Sequence, residues 1–336
     1  MSKSRDAGSA ISRIVDAAAK SNVSYLYIAR DSYPLAKVGL RELKPLAGFE
    51  VTEPQILEFI NEKMPESHRH MFSLTGYARF AFAQAPGLRC RVDVAMTVKG
   101  PALVIHITDE IPPNLESLGL AEVIGEFPCK GQGVFLVCSK PRSGRSTALA
   151  SLVEKVNQTS AKHIVWISQA AEYSFTPGMS FICQFEIPDI HHTGAAVPNL
   201  SAVVPDIAVV DMLPNQKILE QSLFVAENGA QVFLGVQSTD TAHGLEALVN
   251  AVDPNTRKDF RYRLSRVFRF AVYLELLKGI DNIVPAAEVL SGTEPVNNLL
   301  KEGKFARISE TIPTGAKYGM ETLEKSKERL SAKGLI

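Results

Sequence analysis

The run KPRSGRST, residues 140–147, has residue types and spacing close to those of a phosphate-binding loop. That loop reads Gly, four free positions, then Gly-Lys-Ser/Thr. Its backbone N–H groups surround phosphate oxygens, its lysine reaches the β- and γ-phosphates, and its hydroxyl binds Mg²⁺. Here Gly144 and the following Ser-Thr pair match, whereas Ser139 stands at the first glycine position and Arg145 at the lysine position. The run therefore predicts phosphate chemistry built from an altered set of residues.

The segments around this run predict a strand before it and a helix after it. GVFLVCS (133–139) is a continuous apolar run, and a helical pattern follows over 144–157. HIVWIS (163–168), DIAVVDM (206–212) and AQVFLGV (230–236) are further apolar runs, and helical segments separate the later ones. Apolar strands that alternate with helices are typical of a parallel sheet covered on both faces. A strand, a tight turn and a helix N-terminus are also the context that a phosphate loop requires.

The N-terminal part of the chain predicts a separate α+β unit. A helix over 8–20 leads into the strand VSYLYIA, and a polar helix follows near 53–63. The segments RFAFAQ, LRCRVDVAMTV and ALVIHIT then alternate between apolar and polar residues, as strands of an antiparallel sheet do. The proline-rich run TDEIPPNLESLG (108–119) favours a linker.

The last third of the chain predicts helices. The segment 255–279 carries apolar residues at helical spacing, while its arginines fall mostly on other faces. The apolar positions are Phe260, Leu264, Val267, Phe268, Ala271 and Leu274. The arginines, which lie between 257 and 269, are either a basic stripe that binds nucleic acid or a partner, or an ordinary solvated helix face. The pattern leaves both readings open.

Composition limits the classes of function. The 336 residues include 36 Lys+Arg and 36 Asp+Glu, so no overall positive field attracts nucleic acid or an anionic membrane. The four cysteines form no C-x-x-C pair and are expected to be buried reduced thiols. The adjacent His191–His192 lacks neighbours that would complete a metal site.

No apolar run approaches the roughly 20 residues of a membrane span, and the N-terminus lacks a signal-peptide core. These two observations predict a cytoplasmic protein without membrane insertion.

The order of the motifs resembles that of the pilus-retraction ATPases of twitching motility, the PilT-like branch of the type II/type IV secretion ATPases. RCRVDVAMTVKGPALVIHITDEIP resembles the last strands of the family's N-terminal domain, and PDIAVVDM resembles its Walker B strand. NGAQVFLGVQSTDTA is similar to its histidine box. EVLSGTEPVNNLLKEGK and TGAKYGMETL match its C-terminal helical pattern, which other P-loop proteins do not share.

The resemblance implies an α/β fold with two domains. Residues 1–110 would form a PAS-like α+β domain, 111–120 a linker, and 121–336 a RecA-like P-loop ATPase domain with a helical C-terminal region. It also implies ATP and Mg²⁺ as cofactors and a hexameric ring of identical subunits or paralogues. The ring would work in the cytoplasm, on a platform protein of a pilus or secretion apparatus at the inner membrane.

Carried over position by position, the family's carboxylates are mostly replaced. The family's acidic box, Ile-Glu-Asp-Pro-x-Glu, falls on ISQAAE, so Ser168 and Gln169 replace two carboxylates and only Glu172 is retained. The catalytic glutamate after the Walker B strand falls on Met212, and a thioether does not activate water. Asp211 stands one place earlier, where the family has glycine, and a one-residue shift on a strand points a side chain to the other face.

The family's basic residues are replaced as well. The histidine of its third box falls on Gln237, and two arginines of its N-terminal domain fall on Lys99 and His106. Another arginine falls on Pro214, and Pro198 disfavours the arginine-bearing helix before the Walker B strand. Arg145 keeps a positive charge at the lysine position, but its planar fork is bulkier than an ammonium group.

These departures predict a catalytically impaired ATPase homologue that acts as a structural or regulatory subunit of a type IV pilus or type II secretion apparatus. The alternatives are a divergent but active motor that drives pilus retraction, and a RecA-like nucleic-acid binder, which the zero net charge disfavours. At most weak binding of ATP and Mg²⁺ is expected. The candidate nucleotide-binding residues are Ser139, Arg142, Ser143, Gly144, Arg145, Ser146 and Thr147. Ser146 and Asp211 are the candidate Mg²⁺ ligands.

Overall fold

The computed structural model describes residues 9–39, 42–46, 48, 50–187, 199–213, 215–280 and 283–336. Pro198, Pro214 and His191–His192 lie outside the described residues. The chain divides into two compact units. The first comprises Met1–Ile111 with Gln169–Ser174, and the second comprises Pro112–Ser168 with Phe175–Ile336.

The first unit is an antiparallel sheet with helices. Its helices are α1 (Ala10–Lys20), α2 (Glu53–Lys63) and α3 (Glu66–Thr75). Its strands are β1 (Tyr25–Ile28), β2 (Leu35–Lys37), β3 (Lys44–Pro45), β4 (Tyr77–Ala85), β5 (Leu88–Thr97) and β6 (Gly100–Asp109). The strand order is β3-β2-β1-β6-β5-β4, and every neighbouring pair is antiparallel. The three alternating segments of the sequence are therefore β4, β5 and β6, as predicted.

Alternation places the core of the first unit on one face of this sheet. On β5, Cys90, Val92 and Val94 are buried and lie in the same cluster as the apolar face of α1. The residues between them are polar and lie on the opposite face of the sheet. This second face carries Arg89, Arg91 and Asp93.

The second unit is a seven-stranded sheet with helices. Its helices are α4 (Ala121–Ile124), α5 (Arg145–Thr159), α6 (Leu200–Val203), α7 (Gln216–Glu227), α8 (Thr241–Asn250), α9 (Arg257–Val267), α10 (Glu294–Glu302), α11 (Phe305–Ser309) and α12 (Leu323–Ala332). Its strands are β7 (Gly133–Ser139), β8 (His163–Ser168), β9 (Phe181–Glu186), β10 (Ile207–Asp211), β11 (Gln231–Gln237), β12 (Phe268–Lys278) and β13 (Ile283–Ser291). The order is β13-β12-β7-β11-β10-β8-β9, and only β13 is antiparallel to its neighbour.

The continuous apolar runs of the sequence became the central strands of this sheet. Every residue of β7 is buried, because helices cover both faces. Helix α5 packs against β7, β10 and β11. Helices α7 and α8 contribute to the apolar core that also contains Leu136 of β7, Val210 of β10 and Leu234 of β11.

The predicted helix over 255–279 is wrong in its second half. Helix α9 ends at Val267, and Phe268–Lys278 is strand β12, which pairs in parallel with β7 and antiparallel with β13. The middle of β12, from Ala271 to Leu274, is buried at every residue and shows no polar–apolar alternation, so the apolar residues of the segment matched a helical spacing by chance. Its aromatic and β-branched residues are the types that strands favour.

Candidate functional site

The loop between β7 and α5 has the strand–turn–helix form that the sequence predicted. Strand β7 ends at Ser139 and α5 begins at Arg145, with Gly144 as its N-cap residue at φ 83°. Arg142 also adopts a positive φ, 62°, which favours glycine. The loop thus retains glycine geometry at a position where this chain has an arginine.

Arg145 makes an internal ion pair at the base of this loop. Its Nε donates a hydrogen bond to Oδ1 of Asp211, the last residue of β10, over 2.8 Å. The two side chains are only 17% and 6% exposed. The cation at the lysine position of the loop is therefore held by a carboxylate of the protein itself.

Gly235 of β11 provides the space for this ion pair. Strand β11 lies between β7, which leads into the loop, and β10, which carries Asp211. A Cβ atom added at Gly235 would lie 2.6 Å from Asp211 Oδ1 and 2.9 Å from Arg145 Nε. Both distances are shorter than normal contacts, so a side chain at this position would displace the pair.

Asp211 and Met212 point to opposite faces of the sheet. Asp211 lies on the α5 side, against Gly235, whereas Met212 is 4% exposed and belongs to the core with Leu223 and Leu245. The sequence expectation that the one-residue shift separates the two faces is therefore met. The carboxylate, however, faces the loop, and the thioether occupies the apolar core.

The other strand ends near the loop carry neutral polar residues. Ser168 at the end of β8 pairs in register with Asp211. It is 3% exposed, and its hydroxyl has no hydrogen-bond partner among the described residues. Gln237 at the end of β11 pairs in register with Ser139 and is exposed. Neither position supplies an ionisable group.

The retained Glu172 lies in the first unit, within a charged cluster on the second face of its sheet. Arg91 Nη1 donates to Glu172 Oε1 over 2.5 Å, and His106 Nδ1 lies 3.0 Å from Glu172 Oε2. The side chain of Glu172 is 11% exposed. Gln169 accepts from Arg79 over 3.0 Å, whereas Lys99 lies in the exposed turn between β5 and β6. The structure therefore brings His106 and Glu172 together and leaves Lys99 apart.

The charges around Glu172 determine its ionisation. Burial by itself would raise the pKa of this carboxyl, but the charge of Arg91 and the hydrogen bond from His106 outweigh burial and lower the pKa to about 2. Burial by itself would lower the pKa of Arg91, but the negative charges of Glu172 and Asp93 outweigh burial and raise the pKa. Glu172 is thus a stable carboxylate bound by two side chains, rather than a group poised to exchange a proton near neutral pH.

Sequence reasoning missed the arginines that bind the segment Gln169–Ser174. Arg89 donates to the carbonyl oxygen of Ala171 through Nε and Nη2, and to the hydroxyl of Ser174. Together with Arg79 and Arg91, it lies on the face of the sheet that the apolar residues leave free. The alternation in the segment LRCRVDVAMTV was the signal that could have identified this basic face.

The arginines of the predicted basic stripe mostly bind protein groups. Arg257 donates to the carbonyl oxygens of Val252 and Asn250, and Arg263 forms two hydrogen bonds with Glu227. Arg269 donates to backbone carbonyls, including that of Gln132. The contacts of these three arginines favour the structural reading of the stripe over the nucleic-acid reading.

In nucleotide sites Mg²⁺ takes one or two protein oxygens, and phosphates and water supply the rest of its ligands. Of the candidate ligands, Oδ1 of Asp211 already accepts a hydrogen bond from Arg145, and Met212 offers no oxygen, so the carboxylate is paired with a cation of the protein rather than free for Mg²⁺. Within the described ranges, no group of three or more His, Cys, Asp or Glu side chains is arranged to hold a metal ion.

No helix in the described part of the chain has the length and apolar character needed to span a bilayer. Cys90 and Cys138 are buried as expected, but Cys129 is exposed and Cys183 is only half-buried.

Comparison with known proteins finds relatives along almost the whole chain, although no family model matches it. The twitching motility protein of Neisseria gonorrhoeae is 26% identical over 292 residues, 85% of this chain and 78% of that protein. The type IV pilus retraction ATPase PilT of Pseudomonas aeruginosa is 26% identical over 329 residues, 97% of this chain and 95% of that protein. The chain is a relative of the pilus-retraction ATPases. The resemblance drawn from the motifs is thus confirmed.

A solved structure of a retraction motor has the same fold. The crystal structure of the pilus retraction motor PilT with bound ADP matches with a TM-score of 0.76 and 24% identity, over 97% of this chain and 94% of that one. The mixed α/β architecture predicted for this relative of the retraction ATPases is therefore confirmed.

Proposed function

We propose that this relative of the retraction ATPases is non-catalytic and serves as a structural or regulatory subunit of a type IV pilus or type II secretion apparatus. The observation that carries the proposal is the position after β10, where the resemblance calls for a catalytic glutamate. Met212 stands there, 4% exposed in the apolar core. A thioether accepts no proton from water, and a general base is worth roughly 10²–10⁴ in rate.

The other charged positions support the same proposal. Ser168 and Gln169 carry no charge, and Glu172 is bound by Arg91 and His106 in the first unit. Arg145 is engaged by Asp211. We therefore propose that ATP binds weakly or not at all. The role of the chain in the apparatus then depends on its folded structure and not on ATP hydrolysis.

The finer organisation is part of the proposal. Residues 1–110 form a PAS-like domain, 111–120 a linker, and 121–336 a RecA-like domain. Subunits assemble into a hexameric ring, alone or with an active paralogue, in the cytoplasm on the platform protein of the apparatus. The near-complete coverage by proteins named for twitching motility and pilus retraction supports this assignment.

Steady-state phosphate release with Mg²⁺-ATP tests the proposal. We expect no turnover above the blank for the natural protein, and none for the Arg145→Lys variant, because Met212 and Gln237 remain. An intact retraction ATPase assayed in parallel serves as the positive control. Turnover of the order of 1 per second, at the low end for phosphoryl-transfer enzymes, would contradict the proposal.

The active-motor alternative has one observation in its favour: the loop keeps Gly144 as the N-cap of α5 and a hydroxyl at Ser146. It makes a specific prediction. If the chain hydrolyses ATP, Ser146→Ala should abolish phosphate release, whereas a change at the exposed Ser73 should leave it intact. The pair of variants separates a real activity from a contaminating ATPase.

A further inference from the structure

The ion pair beneath the loop joins two of this chain's departures from the family pattern. Arg145 stands at the lysine position, and Asp211 stands where the family has glycine. The structure places these two side chains in direct contact, Nε to Oδ1, over 2.8 Å. Two changes that looked independent in the sequence are thus the two halves of one interaction.

This interaction opposes polyphosphate binding in two ways. A loop of this kind holds phosphate through the charge of its lysine, and here Asp211 already neutralises the corresponding charge. Asp211 also places a carboxylate, 6% exposed, beside the space that phosphate oxygens would enter. The carboxylate and the phosphate oxygens would both be negative, and like charges at such a short distance in a partly buried site repel each other strongly.

Gly235 indicates that the pair is accommodated by the surrounding sheet. The pair lies directly over the backbone of β11, at the one residue of that strand without a Cβ. Ser168, the neighbour of Asp211 in the sheet, leaves its hydroxyl unbonded among the described residues, so it does not draw the carboxylate away. The partner of Arg145 in this loop is thus a carboxylate of the protein itself rather than a bound phosphate.

We propose that Asp211 closes this loop to polyphosphate by holding Arg145 in an internal ion pair. Asp211 is thereby a specificity-determining residue that excludes nucleotide. The inference rests on the proposed function, since it concerns the same loop, but it makes a claim about binding rather than hydrolysis. It also has a direct competitor: an Asp211 that ligates Mg²⁺ would favour nucleotide binding.

Calorimetric titration with inorganic tripolyphosphate, without divalent ions, tests the claim. The variant is Asp211→Asn, which keeps the side-chain shape and removes the charge. We expect its affinity to exceed that of the natural protein on the order of ten- to hundredfold, the range for a freed charge-assisted hydrogen bond. Glu227→Gln is the matched control, because it breaks another arginine–carboxylate pair, with Arg263, away from the loop. It should leave tripolyphosphate binding unchanged.

Two further variants make the result specific. The gain should disappear when Arg145→Ala is added to Asp211→Asn, since the freed cation is what binds. Asp211→Gly, which restores the family's residue, should show the same gain and replaces Asp211→Asn if thermal melting shows that variant to be unfolded. Equal binding by the natural protein and both Asp211 variants would overturn the proposal, as would a gain that persists without Arg145.

Titration with Mg²⁺-ATP separates the competing role. If Asp211 closes the loop, Asp211→Asn binds Mg²⁺-ATP more tightly than the natural protein does. If Asp211 is a Mg²⁺ ligand, the variant binds it less tightly, and the proposal is overturned. Hydrolysis by the natural protein would contradict both the proposed function and the exclusion of nucleotide, because hydrolysis requires bound ATP. Equally weak binding by the natural protein and the Asp211 variants, without hydrolysis, would contradict only the role of Asp211.

Discussion

Glu172 is a largely buried carboxylate of the charged cluster in the first unit, and it is bound by Arg91 and His106. Its partner Arg91 is only 16% exposed, so removal of the carboxylate leaves a largely buried guanidinium without its main counter-charge. We predict that Glu172→Gln lowers the free energy of unfolding by about 3 kcal/mol, the lower end for breaking a buried pair. Urea denaturation followed by circular dichroism measures this change.

The control for this prediction is Glu302→Gln. Glu302 pairs with Lys304 on the surface, where both side chains are about half exposed, and such pairs contribute little to stability. A loss of similar size in both variants would show that the burial of the Arg91–Glu172 pair is not the cause.

The same carboxylate predicts a pH dependence. The pKa of Glu172 is lowered from its ordinary value of 4.5 to about 2 in the folded protein. A lowered folded-state pKa gives stability that is complete above pH 4.5 and is lost as the pH falls toward 2. The difference amounts to about 3 kcal/mol. The stability gap between the natural protein and Glu172→Gln should therefore shrink on going from pH 7 to pH 3, and a constant gap would refute this account.

The backbone conformation of Arg142, in the loop between β7 and α5, should affect the stability of the protein. Its φ of 62° lies in the left-handed region, where a residue with a Cβ is disfavoured by roughly 1 kcal/mol relative to glycine. We expect Arg142→Gly to be more stable than Arg142→Ala by about 1 kcal/mol. Both variants remove the same side-chain contacts, so the comparison isolates the backbone. Equal stabilities by thermal denaturation would mean that the loop does not hold this conformation in solution.

At the scale of elements, strand β11 is fitted to the ion pair above it. Gly235→Ala should destabilise the protein by about 2 kcal/mol, because the added methyl group overpacks against Asp211 and Arg145. In an Asp211→Ala background, one of the two clashes is gone and the cost should fall by about 1 kcal/mol. A double-mutant cycle by urea denaturation gives this coupling. Strictly additive effects would show that Gly235 and Asp211 do not interact.

The elements that could be predicted from the sequence are those with clear boundaries and a buried apolar face. The apolar runs of β7, β8, β10 and β11 were recognisable because strands of 5 to 7 residues are bounded by turns or helix starts. Strand β12 follows α9 without a turn, so helix and strand merged into one apolar pattern. Helix α3 was not predicted at all, since only His68 and Met71 of its ten residues are buried.

The site was predictable in its place but not in its contacts. The residue types of KPRSGRST, and its place between a predicted strand and a predicted helix, identified residues 140–147. The pairing of Arg145 with Asp211 joins residues 66 positions apart in the sequence, and it depends on β11 inserting between β7 and β10. Strand order of this kind is a property of the whole sheet and is not encoded in any local pattern.

At the scale of the whole molecule, the proposed ring predicts assembly. We expect sedimentation velocity to show species larger than a monomer at micromolar concentration, or a complex when an active retraction ATPase is added. The physical reason is that a cyclic ring uses two complementary surfaces on each subunit, which a non-catalytic relative can retain. A strict monomer at all concentrations, together with no partner in co-purification, would contradict the ring.

The segment Gln169–Ser174 has a consequence for dissecting the molecule into fragments. It clusters with the first unit although it lies about 60 positions beyond Ile111 in the sequence. A proteolytic or recombinant piece that stops at Ile111 would contain Arg89, Arg91 and His106 but would lack the carbonyl and carboxylate groups that they bind. Such a piece would expose a cationic surface that the full chain covers. It would therefore bind polyanions such as heparin more strongly than the intact protein, for reasons unrelated to biological function.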